Sequence, residues 1–324
     1  MIQTSTEELG MSESDRTNPV LITGSFRSGT TWVGRTLARS ERLSWVAEPF
    51  HVKHRRGVFA SPTPSLYTYV CAENEHDHDY RKNLAATIAG RYGWVEGLRE
   101  IKRPVDVGIV AKDVARFTER RFRAQRALLK DPIALFSAPW IADRFDADVI
   151  VMVRHPAAIM ASLDRLGWRF NMDHLLRQPL LMRDLLGPWE SELKELEANQ
   201  DRTLVDEAAL VWRVMYDVVD VWRQERPDWT YIRHEDLSRE PVEGFRALFD
   251  AVGEEMTPEI EGFIRDSTSA TNPTAAPEGQ AHALRRDSRA NANRWLDALD
   301  PDDVARLHEL VDDVASRYYG PEDW

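Results

Sequence analysis

The stretch Val20-Leu21-Ile22-Thr23-Gly24-Ser25-Phe26-Arg27-Ser28-Gly29-Thr30-Thr31-Trp32 constrains this chain more than any other. An apolar run passes through a loop bounded by two glycines and enters a helix-forming segment. A buried strand feeding a helix in this way belongs to a sheet covered by helices, and few folds offer that arrangement. Backbone N–H groups at a helix's first turn have no intrahelical partner, and the helix dipole adds partial positive charge there. The loop is therefore read as an anion site, of the kind that holds phosphate.

Set against the triphosphate-binding pattern G-x-x-x-x-G-K-[ST], the segment supplies Gly24, Gly29 and Thr31, but Thr30 stands where lysine belongs. The side chain that reaches the terminal phosphates of ATP is missing. Arg27 places a cation within the loop instead, and a guanidinium can fork onto an oxyanion through two parallel N–H donors.

The rest of the chain alternates between the same two kinds of segment. Short apolar runs at 20–23, 44–47, 127–129, 148–153 and 229–232 read as strands. Helical patterns follow at 30–40, 81–99, 134–145, 156–166, 204–224, 242–252, 289–299 and 301–318. The expected class is α/β: a three-layer, P-loop-like fold with a central, mainly parallel sheet flanked by helices. Residues 1–17 are polar and acidic and read as a disordered tail, leaving 18–324 as a single domain. Residues 51–80 and 266–288 resist a regular reading and are expected as long loops.

Composition closes several possibilities. A formal charge of -12 over 324 residues lacks the broad basic face that binding a nucleic-acid backbone requires, so any anion site must be local. No apolar run is long enough to span a bilayer, and the first residues lack the layout of a secretion signal, so a cytoplasmic location is expected. The lone Cys71 cannot form an internal disulfide, and Glu75-His76-Asp77-His78-Asp79 reads as a solvated acidic loop because no zinc-like spacing completes it. No metal is expected. The basic run 116–126 reads as an exposed helix face. Most of the eleven tryptophans, among them Trp94, Trp168, Trp189, Trp212 and Trp222, read as core or rim.

Two further strand ends carry cations. Val149-Ile150-Val151-Met152-Val153 leads into Arg154-His155-Pro156, with Ser162 on the helix beyond, and Ala127-Leu128-Leu129 ends in Lys130-Asp131-Pro132. Open parallel sheets collect ligands at this edge.

With these segments in place, the chain resembles the sulfotransferases that use 3′-phosphoadenosine 5′-phosphosulfate (PAPS), chiefly the carbohydrate-type enzymes and related bacterial ones. Arg27-Ser28-Gly29-Thr30-Thr31 is similar to the loop that grips the 5′-phosphosulfate, and Arg154 with Ser162 matches the arginine and serine, eight residues apart, that hold the 3′-phosphate. Arg285-Arg286-Asp287-Ser288 followed by Trp295 resembles their late R-D-S...W segment, and Ile232-Arg233-His234-Glu235-Asp236-Leu237 their Y-E-D-L segment, with His234 where tyrosine is common. The likeness covers about residues 19 to 320.

The resemblance implies transfer of a sulfuryl group to a hydroxyl-bearing acceptor, a carbohydrate or glycolipid, without a metal. Phenol and steroid sulfotransferases carry K-T-H where this chain has Lys130-Asp131-Pro132, so their histidine base is absent. Glu48-Pro49 resembles the E-P segment of the carbohydrate enzymes and makes Glu48 the implied general base, with His51 in reserve. Lys130 would offset charge on the bridging oxygen, Arg285 and Arg286 would join the 3′-phosphate site, and Trp32 would stack on adenine. A P-loop small-molecule kinase and a non-catalytic nucleotide-binding protein remain the rival readings. The sequence leaves the oligomeric state open.

Overall fold

The computed structural model describes residues 16–274 and 284–324. Its strands are β1 (Val20–Gly24), β2 (Leu43–Ala47), β3 (Arg126–Lys130), β4 (Asp148–Val153) and β5 (Thr230–Arg233). The helices in the first half are α1 (Thr30–Leu37), α2 (Tyr80–Ile88), α3 (Trp94–Arg99), α4 (Pro104–Phe122), α5 (Ala138–Phe145), α6 (Pro156–Leu166), α7 (Asp173–Leu176) and α8 (Pro179–Leu181). Those in the second are α9 (Glu190–Ala198), α10 (Leu204–Glu225), α11 (His234–Arg239), α12 (Pro241–Ala251), α13 (Pro258–Thr268), α14 (Ser288–Ala292), α15 (Trp295–Ala298) and α16 (Pro301–Ala315).

The strands form one sheet in the order β2-β3-β1-β4-β5, and every pairing is parallel. Side chains on a strand alternate between faces, and here both faces are dry. On β4, Val149, Val151 and Val153 enter one hydrophobic core while Ile150 and Met152 enter another; β1 divides likewise, Leu21 against Val20 and Ile22. Residues of α5, α6, α10 and α16 build the first core, and residues of α1, α12 and α13 the second. The result is the expected three-layer α/β fold. No described helix is long and apolar enough to cross a membrane.

Parallel pairing matters for function because it brings all five carboxyl ends to one edge. Register places Lys130 beside Ile22 and Ala47, Met152 beside Gly24, and Arg233 beside Val153. Helix starts at this edge are fixed by local chemistry. Pro156 opens α6, which ends at left-handed Gly167. At α10, Thr203 Oγ1 accepts from Asp206 N at 3.3 Å while Thr203 N donates to Asp206 Oδ2 at 2.8 Å, a reciprocal cap.

Several elements depart from expectation. The helix anticipated at 81–99 is two, α2 and α3, interrupted around Gly90 at φ 67°. The one anticipated at 289–299 divides into α14 and α15, and the one at 134–145 begins as a 3-10 turn, Pro132–Ser137. Helices α4, α9 and α13 had no sequence counterpart, and α13 occupies the start of the expected loop 266–288, whose residues 275–283 lie outside those described. Of the expected tail, 1–15 likewise lie outside them. Arg16 is described, and its Nη1 donates to the Ala251 carbonyl at 3.4 Å.

The basic run is not uniformly exposed: Arg120 and Arg126 are buried. Arg120 donates to the Thr87 carbonyl, and Arg126 pairs with Asp148 and Glu254. Trp189, Trp212 and Trp222 are buried, whereas Trp94 and Trp168 face solvent.

Candidate active site

The loop after β1 is shaped by what lies behind it. Gly24 has φ 145°, and a Cβ there would stand 2.5 Å from the Met152 carbonyl oxygen. Gly29, at φ 102°, caps α1, and a Cβ on it would meet the His234 ring at 2.6 Å. Between them the wholly buried Ser28 folds the chain back, its Oγ donating to the Ser25 carbonyl at 2.7 Å. Two tyrosines from distant segments fix the loop: Phe26 N donates to Tyr67 Oη at 2.9 Å, and Ser25 Oγ lies 2.9 Å from Tyr216 Oη. Tyr216 also accepts from Arg154 N at 3.2 Å, so one hydroxyl ties the β1 loop to the end of β4.

Arg27 stands at the tip with φ 63°. Its Nε donates to Ser162 Oγ at 2.8 Å, its guanidinium lies 5.8 Å from the centre of the Trp168 ring, and its carbonyl accepts from Arg154 Nη1 at 2.6 Å. Arg286 approaches from the segment before α14, with Nη1 3.3 Å from Asn291 Oδ1. Burial, followed by the charges of Arg154, Arg165 and Arg286, holds the Arg27 guanidinium down to about 10. Burial and then Arg154 hold Arg286 down to about 10 as well. Arg154 shifts down chiefly through burial. Arg154 and Arg286 each retain a buried Nε without a hydrogen-bond partner among the described residues. Cations that are desolvated, mutually repelling and short of acceptors are stabilised by an incoming anion.

The opposite end is built by β2 and β3. Glu48 follows β2 at φ 43°; its backbone N–H donates to the Lys130 carbonyl at 2.9 Å and its carboxylate pairs with Lys130 Nζ. The buried Lys130 stem packs over Gly34, where a Cβ would come within 3.1 Å. Asp131 accepts from Phe50 N at 2.6 Å and Ile133 N at 3.0 Å, pinning the chain after Glu48 to the end of β3. Burial, then the nearby Glu48 charge, pushes the Asp131 carboxyl up to about 7. His51 N donates to the Glu48 carbonyl at 3.1 Å, and its Nδ1 accepts from Lys53 N at 3.0 Å.

Both ends open into one cleft of about 560 Å³. Arg27, Gly29, Thr30, Thr31, Trp32, Arg154 and Arg286 line it, as do Glu48 and His51. Its walls include Leu66, Ile133, Trp168 and Phe170. Ser28 lies beneath the loop, Ser162 behind Arg27, and Lys130 behind Glu48. Arg285 is exposed and outside the lining. His234 lines the cleft too: its ring is buried, 5.5 Å from Trp32, and burial with Arg154 and Arg286 nearby holds its pKa well below 6.5. Glu75 is engaged elsewhere, accepting from Trp140 Nε1 and Arg144 Nε.

Sequence reasoning did not single out Tyr67, Tyr216 or Arg165. Each acts from a segment remote in sequence from the loop, and no local pattern marks it. In the sequence His234 is marked only by standing where tyrosine is common.

A cationic, glycine-bounded loop and two further arginines give the crevice at the carboxyl edge of this parallel sheet the donors and charge that an anionic ligand requires. Comparison with known proteins gives the family: residues 19–258 match the sulfotransferase family model, and the chain belongs to that family. Among curated proteins it is similar to human (Homo sapiens) carbohydrate sulfotransferase 5, with 26% identity over 170 residues, 50% of this chain and 37% of that one. It also matches mouse (Mus musculus) carbohydrate sulfotransferase 2, with 26% identity over 221 residues, 61% of this chain and 40% of that one. The chain thus spans about two fifths of the length of these relatives. Among solved structures, the sulfotransferase domain of the Synechococcus PCC 7002 olefin synthase aligns at 19% identity and TM-score 0.43, covering 95% of this chain and 98% of that one.

Proposed function

We propose that this cleft transfers a sulfuryl group from PAPS to a hydroxyl of a carbohydrate or glycolipid, releasing a sulfate ester and adenosine 3′,5′-bisphosphate. The observation that carries the reading is the convergence of Arg27, Arg154 and Arg286 on one cleft, with two buried Nε donors lacking acceptors among the described residues. A nucleotide with phosphate on its ribose and a sulfonated tail supplies anions at both ends, which suits cations delivered by three separate segments. The carbohydrate sulfotransferases that the chain resembles support the acceptor class.

In this account the α1 N–H groups and Arg27 hold the 5′-phosphosulfate, and Arg154 and Arg286 hold the 3′-phosphate, with Ser162 fixing Arg27 in place. Trp32 offers adenine an aromatic face. The donor contributes an activated S–O bond. Glu48 accepts the proton of the acceptor hydroxyl as that oxygen bonds to sulfur and the bridging S–O bond breaks. Lys130 holds the carboxylate in position and supplies positive charge at the end of β3 as the bridging oxygen becomes anionic. His51 stands by as an alternative proton acceptor at the same end.

The reading is tested by incubating the protein with PAPS, a metal chelator and a panel of sugars, glycolipids and phenols, with mass spectrometry following the acceptors. A sugar or glycolipid adduct carrying one SO₃ group is expected. In a parallel incubation with ATP and no chelator, ATP consumption that requires Mg²⁺ would establish a kinase instead, and PAPS bound in a titration but left intact with every acceptor would establish a binding protein.

A further inference from the structure

Away from the cleft, the surface least suited to water lies on α3 and the first turns of α4. Trp94, Val95 and Leu98 are 57, 54 and 58% exposed, and Val105, Val107 and Ile109 are 59, 52 and 41% exposed. Helix α4 buries only Asp113, Phe117 and Arg120, all beyond its second turn. A Cβ on Gly108 would meet nothing within 4 Å. The start of α4 therefore stands clear of the body and is apolar on several sides, which a water-facing helix is not.

Charge is sorted around this lobe. Arg99, Lys102, Arg103 and Lys112 are exposed, while Glu96, Glu100 and Asp106 are half-buried. Glu100 accepts from Arg56 N at 2.9 Å, and Asp106 from Lys102 N and Arg103 N at 3.1 and 2.8 Å. On α4, Val105 and Ile109 continue at three- and four-residue spacing into Lys112 and Arg116, so the apolar tip runs into a basic stripe on one face. Residues 91–123 present eight exposed Lys and Arg, and of their five Asp and Glu only Glu119 is exposed, in a chain whose net charge is -12.

We propose that this lobe docks the protein on an anionic lipid surface, with Trp94, Leu98, Val105 and Ile109 entering the headgroup boundary and the lysines and arginines meeting lipid phosphate. Aliphatic residues and tryptophan ringed by cations are the composition of an interfacial helix. The acidic remainder of the molecule is repelled by the same surface, which fixes the orientation. A helix start with open space around Gly108 suits a fluid layer better than the face of a second copy. The lobe is tied to the cleft's own loop, since Gly93 N donates to the Gly57 carbonyl at 2.8 Å in the segment that begins at His51. This inference does not depend on what the cleft transfers.

Vesicle flotation tests it, using phosphatidylcholine alone and equal parts phosphatidylcholine and phosphatidylglycerol. The protein is expected to float with the anionic vesicles at ~0.1 M salt, and much less at ~1 M salt where charges are screened. Lys102→Ala with Arg103→Ala should lower the vesicle partition constant roughly 25-fold, at about one fivefold step per cation. Trp94→Ser with Leu98→Ser should lower it as well. All four side chains are exposed, Arg103 making an ion pair with Asp106 and Trp94 an edge contact with Tyr92, so melting close to the parent's is the control each variant must meet. Absence from both kinds of vesicle, or equal flotation by the variants, overturns the proposal. So does a dimer in light scattering that Trp94→Ser abolishes, which would assign the lobe to a second copy.

Discussion

Glu48 is the residue to which the proposed mechanism assigns the acceptor's proton. It occupies the left-handed region at φ 43°, a strained conformation for a side-chain-bearing residue. Three contacts over-determine it: the Lys130 pair, its N–H on the Lys130 carbonyl, and the Asp131 clamp on Phe50. Glu48→Gln preserves shape and a carbonyl acceptor for Lys130 while removing the proton acceptor. Turnover should drop by about 10² to 10⁴ with affinity for the bisphosphate product little changed. Steady-state kinetics paired with product titration measures both, and turnover at the parental rate would eliminate Glu48 as the base, leaving His51.

At the scale of elements, the junction of β4 and α6 carries a second consequence. His155 is 1% exposed, stacks on Trp295 at 4.8 Å, and is flanked by Tyr319 and Trp324. Neither ring nitrogen has a hydrogen-bond partner among the described residues. Burial pushes its pKa down to about 3, against 6.5 for the free side chain. Between those values the unfolded chain binds a proton that the folded chain refuses, so stability is full above pH 6.5 and falls as pH drops toward 3. This site contributes a slope of up to about 1.4 kcal/mol per pH unit. His155→Phe should flatten the fall in melting temperature between about pH 6.5 and 4, and an unchanged slope would show that His155 does not contribute.

The elements legible in the sequence were those whose burial follows one rule along their length. The apolar run 148–153 matches β4, and 204–224 falls one residue short of α10, which is capped at its start and buried along a continuous face. Helix α4 escaped because Val105, Val107 and Ile109 make no core-facing stripe, the same property that leaves them in solvent. The 81–99 pattern hid a break because Gly90 permits a left-handed turn that periodicity does not register.

For the whole molecule, the decisive fact is that an acidic chain gathers cations at one place. Parallel strands made this legible: once Arg27, Lys130 and Arg154 were assigned to strand ends, an all-parallel sheet had to bring them to one edge. What the sequence withheld was depth. Arg27 and Arg154 line the cleft while Lys130 lies behind Glu48, and the tyrosines that hold the loop come from positions 41 and 191 residues away. Such contacts are set by packing, which no spacing encodes. The claim that these cations embrace a nucleotide phosphorylated on its ribose is tested most directly by isothermal titration of adenosine 3′,5′-bisphosphate and ADP into the wild type and Arg154→Ala. The account predicts that the wild type prefers the bisphosphate and that the variant binds it about 30-fold or more weaker, the scale of a charge-assisted hydrogen bond of roughly 2 kcal/mol, with ADP little affected. Equal weakening for both nucleotides, or no binding of the bisphosphate by the wild type, would contradict it.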